Sequence, residues 1–341
     1  MQFGVFLLLQ SPQMRPSEEV YRHALEQAEH ADRLGFDAVW LAEHHFSSYG
    51  YSPHPLLLAV AIAARTRRLR LGTAVLVLPL HHPLQLAEEI AMADVLTGGR
   101  LEVGFGRGYQ EYEFQRLQVP LAESRERFNE GLEIVVRALT QEAFSHQGRY
   151  YQFPETSIFP RPVQRPHPPF WVAAQSPESV EATVARGYKV ITGGSTSPAE
   201  AVQRNWEVFQ RSLKRLGREG PEEFAVQRQV YVSDDEEDAR AQVPHSRWHY
   251  RMVARLRGNT QRVERGLAHA DPVEGEPSLE RMYEEWLLFG TPEVVARKLR
   301  RYQEVTGLTY LNCVFAVGAL EHERVLRSME LFAREVMPHF R

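Results

Sequence analysis

The sequence predicts an α/β fold in which eight parallel strands close into a (β/α)8 barrel, and three observations support this. Short apolar segments of strand length alternate with amphipathic helical segments along the chain, and this alternation predicts a parallel sheet. The strand segments are nearly continuous in Val, Leu, Ile and Phe, as expected of strands buried on both faces. At this strand count a closed barrel leaves no exposed edge, and 341 residues suit a barrel with insertions.

The eight predicted strands share high apolar content and lie between helical patterns. They are Phe3–Leu9, Ala38–Ala42, Leu69–Leu78, Leu101–Phe105, Phe170–Ala174, Lys189–Thr192, Ala225–Val232 and Tyr310–Val317. The helices between them have recognisable ends: the first stops at Gly35 and the third begins at Pro83. The alternative is an open, doubly wound sheet. Its dinucleotide-binding form is disfavoured, because no GxGxxG motif follows the first strand.

Two long segments interrupt the alternation. Ser145–Pro169 is rich in Pro and Gly, and Pro244–Glu285 is polar over Arg257–Pro277. Excursions of this length are usually functional loops or disordered segments. No linker divides the chain, so we predict one domain over residues 1–341: a TIM barrel with insertions after helix 4 and strand 7.

Composition narrows the class of protein. A net charge of −4 does not indicate binding to nucleic acid or to an anionic membrane surface, and no apolar run is long enough for a membrane span. The segment Gln2–Leu9 lacks the basic start of a signal peptide. The single cysteine, Cys313, excludes an internal disulfide and a multi-cysteine metal site. The adjacent pairs His44–His45 and His81–His82 lack zinc-site spacing. We therefore expect a cytoplasmic enzyme without a bound metal.

The active site of such a barrel is built from the carboxyl ends of its strands. Strand two ends in Glu43, His44 and His45. An imidazole titrates near neutral pH and suits acid/base chemistry. Neighbouring residues of a strand point in opposite directions, so one of the two histidines is expected to face the barrel end. The alternative is a loop histidine without a role.

Two further strand ends carry features of an anion site. Strand four ends in Gly104–Tyr109, where glycines allow a ligand close to the backbone and Arg107 offers donors to a phosphate. After strand five, Ser176 and Pro177 predict a helix start, and helix N-termini attract anions. A tight turn and ordinary helix capping are the alternatives. Glu178 would have to face away from a phosphate.

Taken together and in order, several segments make the chain similar to the bacterial-luciferase-like, flavin-dependent oxidoreductase family. The matching segments are Leu41–Phe46, Leu71–Pro79, His82–Pro83, Ala87–Glu88, Gly98–Arg100, Gly104–Gly108, Phe159–Pro169 and Leu331–Pro338. The resemblance covers nearly the whole chain and is weakest over Arg211–Glu285.

This resemblance implies a barrel that binds reduced FMN and reacts it with O2 to a C4a-peroxyflavin, which oxidises a small organic substrate. In the luciferases that substrate is a long-chain aldehyde. The resemblance implies catalytic roles for His44 and Glu113, and a non-prolyl cis peptide at Ala74–Val75 against the flavin ring. It implies a phosphate site that includes Arg107 and Arg125. The full set of implied cofactor-binding residues is Glu43, Ala74, Val75, Gly106, Arg107, Gly108, Tyr109, Arg125, Ala174, Gln175, Ser176 and Ser179. The polar stretch Arg257–Pro277 falls where the family has a mobile lid.

The sequence departs from the luciferases at two places. Gly106 stands where they have a cysteine beside the flavin, and Gly193–Ser195 stands where they have a tryptophan pair. We therefore do not expect light emission or aldehyde specificity.

The leading hypothesis is an FMN-dependent monooxygenase with a separate reductase, since the chain shows no nicotinamide site. The alternatives are a deazaflavin- or NAD(P)H-linked hydride-transfer enzyme and a non-catalytic flavin-binding protein. By resemblance we also expect a homodimer that pairs through the helices beside strands two and three.

Overall fold

A computed structural model describes residues 1–218 and 223–341 of the chain. In chain order its strands are β1 Gln2–Leu7, β2 Ala38–Leu41, β3 Arg70–Thr73, β4 Leu76–Val77, β5 Leu101–Gly106, β6 Phe144–Gln147, β7 Gln152–Thr156, β8 Phe170–Ala173, β9 Lys189–Thr192, β10 Phe224–Val232, β11 Arg262–Glu264, β12 Leu267–His269, β13 Leu288–Gly290 and β14 Tyr310–Val314. Its α-helices are α1 Ser17–Leu34, α2 Pro55–Ala63, α3 Pro83–Leu96, α4 Glu111–Arg116, α5 Ser124–Thr140, α6 Pro177–Ala185, α7 Ala199–Arg215, α8 Glu236–Ala241, α9 Val243–Arg257, α10 Leu279–Arg281, α11 Pro292–Thr306 and α12 His322–Leu331. Short 3-10 turns cover Leu78–Leu80, Leu121–Glu123 and Met337–His339, and π-helical turns cover Met282–Trp286 and Phe332–Val336.

The barrel closes as predicted. The parallel pairing runs from β1 through β2, β3, β5, β8, β9 and β10 to β14, and β14 pairs with β1 again. Because all eight strands are parallel, their carboxyl ends meet at one end of the barrel. We call this end the barrel mouth.

The predicted strand Leu69–Leu78 is two strands in the structure. β3 pairs with β5 at its beginning, and β4 pairs with the end of β5 at Phe105 and Gly106. The pairing is interrupted at Ala74–Val75, whose peptide bond is cis as the resemblance implied. An apolar sequence run does not reveal such an interruption, because the residues on both sides of it are buried.

The two insertions contain more secondary structure than predicted. The first lies between α5 and β8 and forms an antiparallel hairpin of β6 and β7. Helix 4 of the prediction is α5, and the short α4 precedes it. The second insertion follows β10, and the prediction that it is a loop or disordered segment was wrong for much of it. There α9 packs Met252 and Leu256 onto the barrel interior, and β11 and β12 form a second hairpin. β13 then extends the sheet beside the end of β10.

Aromatic side chains fill the barrel below the mouth. Trp40, Trp171 and Tyr310 pack edge to face, with ring centroids 5.1 to 6.0 Å apart, and Trp40 Nε1 donates to Tyr310 Oη at 3.0 Å. A Cβ atom at Gly72 would lie 2.2 Å from the Trp40 ring, so that position requires glycine. Because these aromatic side chains fill the barrel interior, the mouth is the end of the barrel that is available to a ligand.

Among residues 1–218 and 223–341, no helix combines the length and the apolar character that a bilayer crossing requires.

Candidate active site

The structure brings His44 and Glu113 together at the mouth. His44 follows β2 and Glu113 lies on α4, and His44 Nδ1 is 3.2 Å from Glu113 Oε1. The same nitrogen is 2.8 Å from Gln110 Nε2. It can therefore accept from the amide when it is unprotonated and donate to the carboxylate when it is protonated. His44 has a partner in either state, which suits a group that takes up and releases a proton.

The neighbouring imidazole of His45 points to a different partner, in line with the prediction that the two histidines diverge. His45 Nε2 lies 2.9 Å from Glu43 Oε1, and His81 Nε2 lies at the same distance from that atom. The backbone N–H of Val77 donates to Glu43 Oε2 at 2.9 Å. Burial by itself raises the pKa of Glu43, but the hydrogen bonds from His45 and His81, with the Val77 N–H, lower it to about 2. The pKa of His81 is raised, because its bond to Glu43 and the charge there outweigh burial.

Glu43 was predicted to bind the cofactor, and this stays a prediction; the structure shows which protein groups surround its carboxylate. Its side chain has no exposed surface, because the two histidines and the Val77 amide enclose the carboxylate. Glu43 ties the end of β2 to β4, just after the cis peptide Ala74–Val75.

The residues predicted to hold a phosphate lie on three segments. Arg107 is exposed directly after β5, and Arg125 is exposed in the first turn of α5. Within the described part of the chain, neither guanidinium has a hydrogen bond or an ion pair. Gly108, between Arg107 and Tyr109, has a φ of +76°, and a Cβ there would lie 2.6 Å from Val77. Glycine is therefore needed where this segment passes β4.

The start of α6 was predicted correctly. Ala174 is buried and Gln175 is exposed ahead of the helix. Ser176 and Ser179 form a capping box, in which the Ser176 N–H donates to Ser179 Oγ at 3.0 Å and the Ser179 N–H donates to Ser176 Oγ at 3.4 Å. Glu178 is exposed. Ordinary capping thus occurs here, and anion binding at this helix stays a prediction.

A second polar group at the mouth was not predicted from the sequence. His249 on α9 lies between Gln10, after β1, and Ser195, after β9. The Tyr49 ring lies between the two histidines, with its centroid 4.7 Å from that of His44 and 6.2 Å from that of His249. These residues come from separate parts of the chain, so no local spacing could have indicated them. The only sequence signal was the Gly193–Ser195 departure.

Comparison with known proteins identifies the family. The family model described as luciferase-like monooxygenase matches residues 1–309. The chain belongs to the luciferase-like monooxygenases. It is 30% identical to the oxygenase component of a flavin-dependent trigonelline monooxygenase from Acinetobacter baylyi, over 100% of this chain and 96% of that protein. The predicted family and the predicted enzyme class, an oxygen-incorporating oxidoreductase, are confirmed.

Solved structures agree with this assignment. The monooxygenase RslO1 from Streptomyces bottropensis superposes with a TM-score of 0.89 at 32% identity, covering 100% of both chains. The oxygenating constituent of a 3,6-diketocamphane monooxygenase from Pseudomonas putida, solved in complex with FMN, has a TM-score of 0.82. At 24% identity, over 99% of this chain and 98% of that one, it shows the shared fold alone.

In this luciferase-like monooxygenase the structure gives a physical reason for Gly106. A Cβ atom at Gly106 would lie 2.3 Å from Val75 Cγ2. The Val75 side chain thus fills the space that a larger residue at position 106 would need. Glycine, and not the cysteine of the luciferases, therefore fits at position 106 next to Val75 of the cis peptide.

A group of possible metal ligands also lies away from the acid/base pair. His23, Glu26 and His322 bring ligand atoms within 4.8 Å of one another. Glu26 and His322 already form a 2.7 Å ion pair, and the His23 and His322 rings stack at 3.9 Å. This group was not predicted from the sequence, because α1 and α12 are far apart along the chain and meet only in the fold.

Proposed function

We propose that this luciferase-like monooxygenase is the oxygenase component of a two-component system that uses reduced FMN and O2 to insert one oxygen atom into a small organic substrate. The observation that carries the proposal is the His44–Glu113 pair at the mouth. The names of the trigonelline and diketocamphane relatives support a flavin, and the second names FMN. The first relative is an oxygenase component, which supports a separate reductase.

The residues at the mouth fit FMN. Arg107 and Arg125 offer guanidinium donors that the described residues leave free, and such donors match a phosphate. The N-terminus of α6 adds a favourable dipole, while its capping box already uses the N–H groups of Ser176 and Ser179. Gly106 packs closely against Val75, the second residue of the cis peptide that the family resemblance places against the flavin ring.

The reaction needs both electrons and protons. Bound reduced flavin supplies two electrons for the activation of O2. One oxygen atom enters the substrate and the other leaves as water, which requires two protons. We assign proton delivery to His44, because its Nδ1 lies 3.2 Å from a carboxylate oxygen of Glu113 that can orient the imidazole. Glu113 is 3% exposed and positions that imidazole.

We further propose a homodimer. Exposed apolar side chains lie on the helices next to β2 and β3, where the resemblance predicts the pairing. They are Leu57 on α2 and Met92, Val95 and Leu96 on α3. Exposed apolar patches of this kind usually mark protein interfaces. In sedimentation experiments the wild-type protein should be a dimer and the Leu57→Glu variant a monomer.

The test of the proposed function is an anaerobic titration with reduced FMN, followed by rapid mixing with O2. We expect saturable binding and then a transient absorbing species that differs from both reduced and oxidised FMN. With 18O2 and a substrate, one labelled oxygen should appear in the product. FMN binding without oxygen transfer would favour hydride transfer or a binding role. Failure to bind FMN would favour a deazaflavin as the cofactor.

A further inference from the structure

A chain of hydrogen bonds crosses the mouth from the end of β1 to the end of β9. Gln10 Nε2 is 2.8 Å from His249 Nδ1, and His249 Nε2 is 2.9 Å from Ser195 Oγ. All three residues are buried, and they come from the ends of β1 and β9 and from α9.

The donor-to-acceptor direction of these hydrogen bonds is fixed at Gln10. The backbone N–H of Gly318 donates to Gln10 Oε1 at 3.0 Å, so the amide must present its NH2 group to His249. His249 Nδ1 therefore accepts, and a neutral imidazole then carries its proton on Nε2. That proton is donated to Ser195 Oγ.

His249 is held neutral. Burial lowers its pKa, and the positive charges of His44 and Arg257 lower it further, to about 4. The imidazole thus keeps the same single N–H across the neutral pH range, and the direction of the chain does not change with pH there.

Ser195 consequently has a proton left to give. Its oxygen accepts from His249 and, at 3.3 Å, from Gln229 Nε2. A hydroxyl that accepts twice retains one donor. In the described portions of the chain no oxygen accepts this proton. Gln229 Oε1 is also buried without a described partner, so the polar groups at this end of the barrel are not satisfied by the protein itself.

The positively charged Arg257 lies beside Gly194, the residue that precedes Ser195. A Cβ atom built on Gly194 would lie 3.4 Å from the Arg257 guanidinium. Arg257 ends α9, and within the described residues it has neither a hydrogen bond nor an ion pair. A donor hydroxyl beside an unpaired guanidinium matches an oxygen that carries negative charge.

We propose that Ser195 and Arg257 form a substrate subsite that binds a hydrogen-bond-acceptor oxygen, a carbonyl or a carboxylate, of the organic substrate. The subsite rests on the proposed function and deepens it. Ser195 contacts the substrate, whereas His249 and Gln10 are positioning residues that aim its hydroxyl. The preferred substrates are then oxygen-bearing compounds rather than plain hydrocarbons.

The test compares three probes of similar shape on the full-length protein with FMN bound: acetophenone, benzoate and ethylbenzene. Their dissociation constants are measured by ligand-observed NMR for the wild-type protein and for Ser195→Ala, Arg257→Gln and Ser197→Ala. Ser197 is the control, because its hydroxyl also lies beside Gly194 and Arg257 but is not oriented by the hydrogen bonds through His249.

We expect Ser195→Ala to weaken the two oxygen-bearing probes by roughly 2- to 12-fold, the range for one hydrogen bond, and to leave ethylbenzene unchanged. Arg257→Gln should weaken benzoate more than acetophenone, and Ser197→Ala should change none of the three. Equal loss for all probes, no loss in Ser195→Ala, or no binding of either oxygen-bearing probe to the wild-type protein would overturn the proposal.

A second measurement separates this proposal from the proposed function. Ser195→Ala should still bind reduced FMN and react with O2 as the wild-type protein does. If the wild-type protein fails with FMN and O2, the proposed function fails whatever the probes do. If FMN chemistry is normal and the probes do not discriminate, only the subsite fails.

Discussion

Replacement of Glu43 by glutamine tests how the buried carboxylate supports the mouth. Glu43→Gln keeps the shape of the side chain and removes its charge. A fall in pKa from 4.5 to about 2 corresponds to about 3 kcal/mol of folding free energy, at 1.36 kcal/mol per pKa unit. With about 2.1 cal/mol/K of unfolding entropy per residue, 341 residues give a Tm decrease of about 4 °C at neutral pH.

The pKa shifts of Glu43 and His81 also determine how folding stability changes with pH. A carboxyl group with a lowered folded pKa stabilises the fold above its unfolded pKa of 4.5, and this contribution is lost as the pH falls toward 2. The raised pKa of His81 acts in the opposite direction: it stabilises below 6.5, and that contribution is lost as the pH rises through the folded value. The stability difference between wild type and Glu43→Gln should therefore be largest between pH 4.5 and 6.5.

The assay is urea unfolding at pH 6, 4 and 3, with FMN affinity measured at pH 6. Glu89→Gln is the matched control, because Glu89 also pairs with a histidine, His54, at 3.3 Å but is partly exposed. Exposed pairs contribute at most about 1 kcal/mol. The reasoning is refuted if Glu43→Gln unfolds like the wild-type protein at pH 6, or if their difference is the same at pH 3.

Three further predictions concern the mouth. His44→Ala should lower turnover by ~10²- to 10⁴-fold with little change in FMN affinity, as measured by steady-state kinetics and titration. His82→Ala is the control. An unchanged turnover in His44→Ala would remove His44 from the mechanism. Arg107→Ala should weaken FMN binding by about 10- to 150-fold, the range for a hydrogen bond to a charged group; equal affinity in both proteins would refute the phosphate assignment. The pKa of His249 is lowered to about 4, so the stability of the wild-type protein should fall as the pH decreases from 6.5 toward 4. His249→Gln should show a smaller decrease in urea midpoint over that range, and parallel curves would contradict it.

The barrel strands could be predicted because burial on both faces leaves a clear apolar signal. β9, Lys189–Thr192, was predicted to the residue. The hairpin of β6 and β7 was missed, since most of its side chains are exposed or half-buried and Pro154 interrupts β7. The length of α9 was missed because the segment is polar overall, although Met252 and Leu256 mark its buried face.

Some contacts of the candidate site could likewise be predicted from the sequence, and others could not. His44 and Glu113 were identified from segments that resemble the family, and the structure places them in contact. The enclosure of Glu43 was not predicted, because the sequence does not reveal that His81 contacts its carboxylate. The pairing of Ser195 with His249 depends on how the second insertion folds over the mouth, and that folding was not predicted.

The position of α9 has a consequence for how this scaffold diversifies. The acid/base pair lies on segments that follow β2 and β5, whereas His249 and Arg257 belong to a segment that crosses the opening from outside the strand framework. Exchange of this segment for one of another sequence would alter which molecules are admitted and leave the redox half of the machinery in place. Under the proposed function we therefore expect laboratory evolution toward new substrates to accumulate its changes in residues 243–269 and around Ser195.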